Sequence, residues 1–342
     1  MAEHHRSASR RQILIQVMVL GLLLALLVSY KGTAGIRRIS QARTNGTLKL
    51  STFQISRVAA ATSALRNAIA YLGIVWPALI FGILISAALR TSLSRTPLHP
   101  IFEGGTARDQ VAAALAGAPL MLCSCCVAPI FLAIYQRTRR LGPALGLTLA
   151  SPSLNPVSLT LSFILFPWRI AGARLAMALI LVLLGCVLVA RITRPQLLAA
   201  AASTTTSGKD TWAGLLGSYG KSVANVSLRT VPLILVGIWA SLLIMAALPL
   251  SRAVAGTRVI AIIAVALFAV LLTLPSLFEI PLAVSVLAMG GPAGAAAALL
   301  FAGPAINLPS LLVIGRYSSW KVALALAMVV WAIAAGGGLL LG

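Results

Sequence analysis

"LASPSLNPVSL" (residues 149–159) and "FAGPAINLPSL" (residues 301–311) are the two stretches whose comparison decides the fold. They lie 152 residues apart and align without a gap, so Pro152 falls on Pro304, Asn155 on Asn307 and Ser158 on Ser310. At the same offset Pro129 falls on Pro281, Gly142 on Gly294 and Trp168 on Trp320. Further upstream, "WPALIFGILIS" (76–86) overlays "VPLILVGIWAS" (231–241) at an offset of 155. Coincident Leu and Ala mean little in so apolar a chain; coincident Pro, Asn and Trp carry the comparison. An internal repeat with interrupted apolar segments at matched positions is the sequence pattern of a transporter.

The composition agrees. The chain has 342 residues, 60% of them hydrophobic and 9% charged, with a mean hydropathy of +1.01. A soluble domain is about a quarter charged, so this chain lacks the polar residues to cover a water-facing surface. It reads as an all-α polytopic membrane protein with the lipid bilayer as its main partner. The balance of 27 Lys+Arg against 5 Asp+Glu would suggest nucleic acid in a soluble protein. Here the basic residues flank apolar segments, as in "RTRR" (137–140), and read as topology signals and headgroup anchors instead. "GGPAG" (290–294) lacks the strand and lysine of a phosphate-binding loop. No cofactor is called for, and the residues give no indication of oligomeric state.

Eight to nine apolar segments are expected, at 13–30, 68–89, 110–136, 142–166, 170–190, 231–249, 259–289, 293–315 and 322–341. The first follows "RSASRRQ" and is either a signal peptide or, the favoured reading, a retained anchor. Residues 1–66 are then an anchor helix and a polar, basic segment. Within that segment "FQISRVAAATSAL" (53–65) is either a surface-lying amphipathic helix or a plain loop. Residues 67–192 form the first membrane repeat, 193–222 a Ser/Thr/Gly-containing linker and 223–342 the second repeat. If 110–136 and 259–289 enter and return on one side, most Lys and Arg fall inside the cell. Each repeat then crosses an odd number of times, so the second is inverted. "CSCC" (123–126) would sit at a hairpin tip near mid-membrane.

Pro129, Pro152, Pro156, Pro281, Pro304 and Pro309 stand where helices ought to continue. Proline removes a backbone donor and clashes with the preceding turn. At membrane depth the freed groups must face protein or a water-filled cavity, because lipid cannot satisfy them. The alternative is simple kinking, but four interrupted stretches at repeat-matched positions favour unwound backbone around one internal site. Three of the four cysteines, Cys123, Cys125 and Cys126, fall within four positions. Thiolates are soft donors suited to soft metals and metalloids, here as a transient substrate site. A helix broken at Pro129 would turn all three inward. The bland reading is that cysteine packs as a small apolar residue, and it is adopted for Cys186. Glu279 is the only acid within the expected spans and a natural proton-coupling group. Asn155 and Asn307 either bind solute or cap broken helices. Ser124 and Ser276 are further polar candidates at the site, as are Ser158 and Ser310.

"PLMLCSCCVAPI", "LASPSLNPVSL" and "FEIPLAVSVLAMGGPAGAAAALLFAGPAINLPSLLVI" together resemble the ArsP/YraQ-type permease family over about residues 70 to 340. That resemblance implies a multi-pass bacterial inner-membrane permease, with export of trivalent organoarsenicals (arsenical resistance) as the activity of the type member. Cys123, Ser124 and Cys125 match the first three residues of the family's Cys-Ser-Cys-Gly motif, and Cys126 replaces its glycine. The expected function is secondary transport, proton-coupled efflux of a soft metalloid or metal species, and not enzymatic catalysis. Two alternatives stay open: a permease for another small solute with structural thiols, and a membrane thiol–disulfide oxidoreductase. The second is disfavoured because the second repeat has no cysteine.

Overall fold

The computed structural model describes residues 2–45, 61–92, 107–138, 140–193, 212–247, 254, 256–274 and 277–342. Among them every regular element is helical. We number the helices α1 (Ala2–Asn45), α2 (Ala61–Ser92), α3 (Ala107–Gly117), α4 (Ser124–Thr138), α5 (Leu141–Ser153), α6 (Pro156–Leu165) and α7 (Trp168–Thr193). The second half contributes α8 (Trp212–Ala247), α9 (Arg258–Leu271), α10 (Glu279–Ala288), α11 (Ala293–Ala305), α12 (Leu308–Tyr317) and α13 (Trp320–Leu341).

Four described helical stretches are long and apolar enough to cross a bilayer unaided: Met18–Gln41, Trp168–Thr193, Gly217–Ile244 and Trp320–Leu341. A fifth arises if α11 and α12, bent by 44° at their break, count as one span. The remaining apolar stretches are divided. Residues 110–136 become α3 and α4, of 11 and 15 residues. Residues 259–289 become α9 and α10, of 14 and 10 residues. A helix needs about 20 residues to span, so none of these arms crosses alone. The composition marks greasy stretches but not where their backbone stops being helical.

Three sequence expectations change here. The polar, basic segment is not separate from the anchor helix at its start: α1 runs through Lys31 to Asn45 as one helix. The expected linker 193–222 is helical from Trp212, where α8 starts. Pro129 does not break its helix. It lies inside α4, as Pro152 and Pro304 lie inside α5 and α11, while the unwound residues are 121–123, which include Cys123. Ser124 to Thr138 hold together despite the proline, and Ser86 of α2 donates to the Pro129 carbonyl at 2.7 Å. Of the candidate amphipathic segment, 53–60 lies outside the described residues, and 61–65 opens α2.

The helix bounds of the two halves coincide at the offset seen in the sequence. Helix α5 at 141–153 matches α11 at 293–305, α6 at 156–165 matches α12 at 308–317, and α7 and α13 begin at Trp168 and Trp320. Three offset-related pairs pack on each other: α2 on α8, α5 on α11 and α7 on α13. Helices α5 and α11 are the centre, with nearly every residue buried. Small residues permit the closest approaches. A Cβ on Gly82 would lie 2.2 Å from the Cys126 carbonyl oxygen, and one on Gly237 2.6 Å from the Pro309 Cα. The outer faces stay apolar, with Leu184, Leu324 and Met328 exposed as lipid-facing residues would be.

Among the described residues, breaks lie at 121–123, 154–155, 272–274 with 277–278, and 306–307. Serines of neighbouring helices satisfy backbone amides at the first and third. The amide of Leu122 donates to Ser151 Oγ at 3.0 Å. In the other half the Thr273 amide donates to Ser241 Oγ at 2.7 Å, and that hydroxyl donates to the Leu271 carbonyl. Ser86 and Ser241 are the aligned serines of the "WPALIFGILIS" and "VPLILVGIWAS" stretches, and both are buried. The first and third breaks each hold a non-glycine residue in left-handed backbone, Met121 at φ 51° and Leu277 at φ 75°. Such conformations cost about 1–3 kcal/mol and persist where surrounding structure over-determines them.

Candidate functional site: a cavity between broken helices

Helix starts converge on one small cavity. It is lined by Leu122, Cys123 and Ser124 of the first break, Pro152, Asn155 and Ser158 of the second, and Leu274, Leu277 and Glu279 of the third. Pro304, beside the fourth break, completes the wall. The sequence explains the geometry locally. Pro156 can take the first position of α6 because no helical partner exists there for an amide. Asn155 precedes it, and its Oδ1 accepts from the amides of Val157 (3.0 Å) and Ser158 (3.4 Å). Asn307 does the same for α12, accepting from the Ser310 amide at 3.1 Å in a reciprocal capping box with the Ser310 hydroxyl. Both asparagines therefore cap broken helices. Asn155 also faces the cavity; Asn307 is not among its lining residues.

The remaining expected site residues divide in the same way. Cys123, Ser124 and Glu279 reach the cavity, as do Pro152 and Pro304. Cys126 is fully buried in the apolar core and does not line it. The side chain of Cys125 and the whole of Ser276 lie outside the described residues. Pro129, Pro156, Pro281 and Pro309 shape helices α4, α6, α10 and α12 without facing the cavity. Among the described residues no group of three or more His, Cys, Asp or Glu side chains is arranged to hold a metal ion. Cys186 is buried within α7, as its packing role implies.

Glu279 has partners that the sequence reading missed. The Ser158 hydroxyl donates to Glu279 Oε1 at 2.6 Å. Arg174 of α7 donates through Nη2 to Ser158 Oγ at 2.6 Å and forms an ion pair with Glu279 Oε1 at 3.3 Å. Its Nη1 donates to the Ser162 hydroxyl and reaches the Ser158 carbonyl at 3.5 Å. Ser162 in turn donates to the Ser158 carbonyl at 2.8 Å. Arg174 is 1% exposed and Glu279 2%, so both are withdrawn from solvent and held by each other and by the serines of α6. The available signal was Arg174's position in "WRIAGARLAMALI": a cation inside an apolar helix needs a counter-charge, and the spans hold one acid.

The chemistry on offer is mixed. One thiol, two hydroxyls, an amide and a charge-balanced carboxylate face apolar Leu122, Leu274 and Leu277. The starts of α4, α6 and α10 bring the positive ends of their peptide dipoles to the same place. That is a cavity of mixed polar and apolar lining set among apolar helices.

The sequence is similar to known proteins. A family model described as "Predicted permease" (ArsP_1) matches residues 60–342. The UPF0718 protein YraQ of Escherichia coli (strain K12) is 27% identical over 260 residues, covering 74% of this chain and 73% of that protein. The UPF0718 protein MJ0584 of Methanocaldococcus jannaschii is 27% identical over 109 residues, 31% of this chain and 30% of its own. No solved structure matches. The helices long enough to cross a bilayer and the family match over the whole broken-helix region lead to one conclusion: the chain is a multi-pass membrane protein that belongs to the predicted permease family ArsP_1.

Proposed function

We propose that this permease is a proton-coupled secondary transporter of the bacterial inner membrane. Its proposed substrate is a soft metalloid or metal species such as a trivalent organoarsenical, moved outward. The observation that carries the reading is the cavity itself, to which the first half supplies the Cys123 thiol and the second half the Glu279 carboxylate. A thiol suits a soft, trivalent centre, and oxygen ligands from Ser124, Ser158 and Asn155 suit its hydroxyl substituents. Cys125, two residues along, is the thiol proposed to join Cys123. Cys126 would join only if the first turn of α4 rotated out of the core. Glu279 is proposed to exchange a proton as the site changes the side it faces. The two halves are proposed to be inverted repeats, each with a re-entrant pair of half-helices, α3 with α4 and α9 with α10. Ser276 and Asn307 are proposed to complete the site in another transport state.

A second reading is a permease for a different small solute, with thiols that only pack. The burial of Cys126 in the core favours it. A growth test separates the two. Expression in a metal-sensitive host should protect against methylarsenite more than against arsenite, copper or mercury. Equal sensitivity with and without the protein, across all four, would reject the soft-substrate reading.

A further inference from the structure

Arg174 heads the large, fully buried side chains among the described residues, yet the proton-coupled scheme gives it no task. An arginine at membrane depth costs several kcal/mol unless paired. A buried ion pair is weak evidence for stability, since packed apolar side chains of similar volume often do as well; its best-attested use is to specify one state against another. The arrangement of partners says which states these are. On its own half, Arg174 is held by α6 through the Ser158 hydroxyl, the Ser162 hydroxyl and the Ser158 carbonyl. Across the cavity its partner among the described residues is Glu279, at the start of α10. Ser158 reaches the same carboxylate oxygen.

We propose that Arg174 is a positioning residue that latches the two halves. It orients Ser158 and Glu279 across the cavity, and the boundary that parts when the cavity opens runs between Arg174–Ser158 and Glu279. Arg174 stays with α6 and α7, because its other bonds are all to that half. Glu279 leaves with α10, and the charge it then exposes is what a solute or a proton must neutralise. Few other groups compete for this role. The residues of α6 (156–165) and α11 (293–305) carry no titratable side chain, and Cys123 is the other described titratable group lining the cavity. Arg169, on the same helix as Arg174, is exposed at its start. The latch deepens the transport reading and rests on it for its part in turnover, but its test needs no transport.

The test is alkylation of Cys123 by N-ethylmaleimide in the full-length protein in lipid nanodiscs, read at that residue by mass spectrometry. Cys123 lines the cavity, so its rate reports opening. The charge-neutral pair R174Q/E279Q should be alkylated at least about tenfold faster than the parent protein, and R174K should fall between them. S162A, which removes one hold on Arg174, should quicken alkylation about two- to fivefold. A folded R174Q/E279Q protein alkylated at the parental rate would overturn the latch. If that variant does not fold, S162A decides, and a parental rate there overturns it equally. A parent protein that moves no arsenical would reject the substrate reading while leaving this result intact.

Discussion

The Ser158 hydroxyl donates to Glu279 Oε1 at 2.6 Å and so ties the second helix break of the first half to the third break, in the second half. Ser158 also accepts from Arg174, so one small side chain serves both charges. Replacing it with alanine leaves a buried carboxylate and a buried guanidinium each short of a bond. S158A should lower stability by about 1–3 kcal/mol. Thermal unfolding in detergent should show this as a midpoint several degrees lower. S285A, whose hydroxyl bonds its own helix on an exposed face, should leave the midpoint nearly unchanged.

The asparagines distinguish capping from solute binding. N155A and N307A each remove a helix cap, which costs about 0.5–2 kcal/mol. Both should therefore lower the unfolding midpoint by similar amounts. Only Asn155 lines the cavity in this state, so N155A should depress transport more than N307A does. Equal losses of transport would mean that both act through helix capping alone.

Close backbone approaches should be intolerant of any side chain. G82A places a methyl 2.2 Å from the Cys126 carbonyl, and G237A places one 2.6 Å from the Pro309 Cα. Overpacking of this kind costs about 1–3 kcal/mol. Gly73, on the same helix as Gly82, has nothing within 4 Å of an added Cβ. G73A should be neutral or slightly stabilising, because alanine is the better helix former. Comparing folded yield and unfolding midpoint across the three variants checks the account.

Inverted repeats place matched residues on opposite sides of the membrane. Trp168–Arg169 and Trp320–Lys321 open α7 and α13 at the repeat offset, and all four are exposed. Aromatic and basic residues at such positions are interface anchors. Cysteines introduced as R169C and K321C should be modified by an impermeant maleimide from opposite faces of intact cells and everted vesicles. Modification of both from one face would make the repeats parallel.

Much of this was legible in the sequence because proline, asparagine and tryptophan are uncommon in an apolar chain. Pro152, Asn155 and Trp168 found their partners at a fixed offset, and the helix bounds later coincided there. The breaks at 154–155 and 306–307 fall within the proline-interrupted stretches that the sequence marks. Other features depend on three-dimensional neighbours. Pro129 looked like a break, but the strand of chain that unwinds is 121–123, where Ser151 of α5 can satisfy Leu122. Nothing in "CSCC" distinguishes a thiol that lines the cavity from one buried away from it, yet Cys123 and Cys126 part in that way. Arg174 was not singled out among the many basic residues, and its partner lies more than a hundred residues away.

The central claim is that solute passes through the cavity and meets the Cys123 thiol there. Uptake of methylarsenite into everted membrane vesicles under an imposed proton gradient tests it most directly. The parent protein should accumulate the solute, C123S should lose about 90% or more of that uptake, since one ligand-scale interaction of about 1.4 kcal/mol is tenfold, and C186S should retain it. Parental uptake by C123S, or no uptake by the parent protein, would contradict the account.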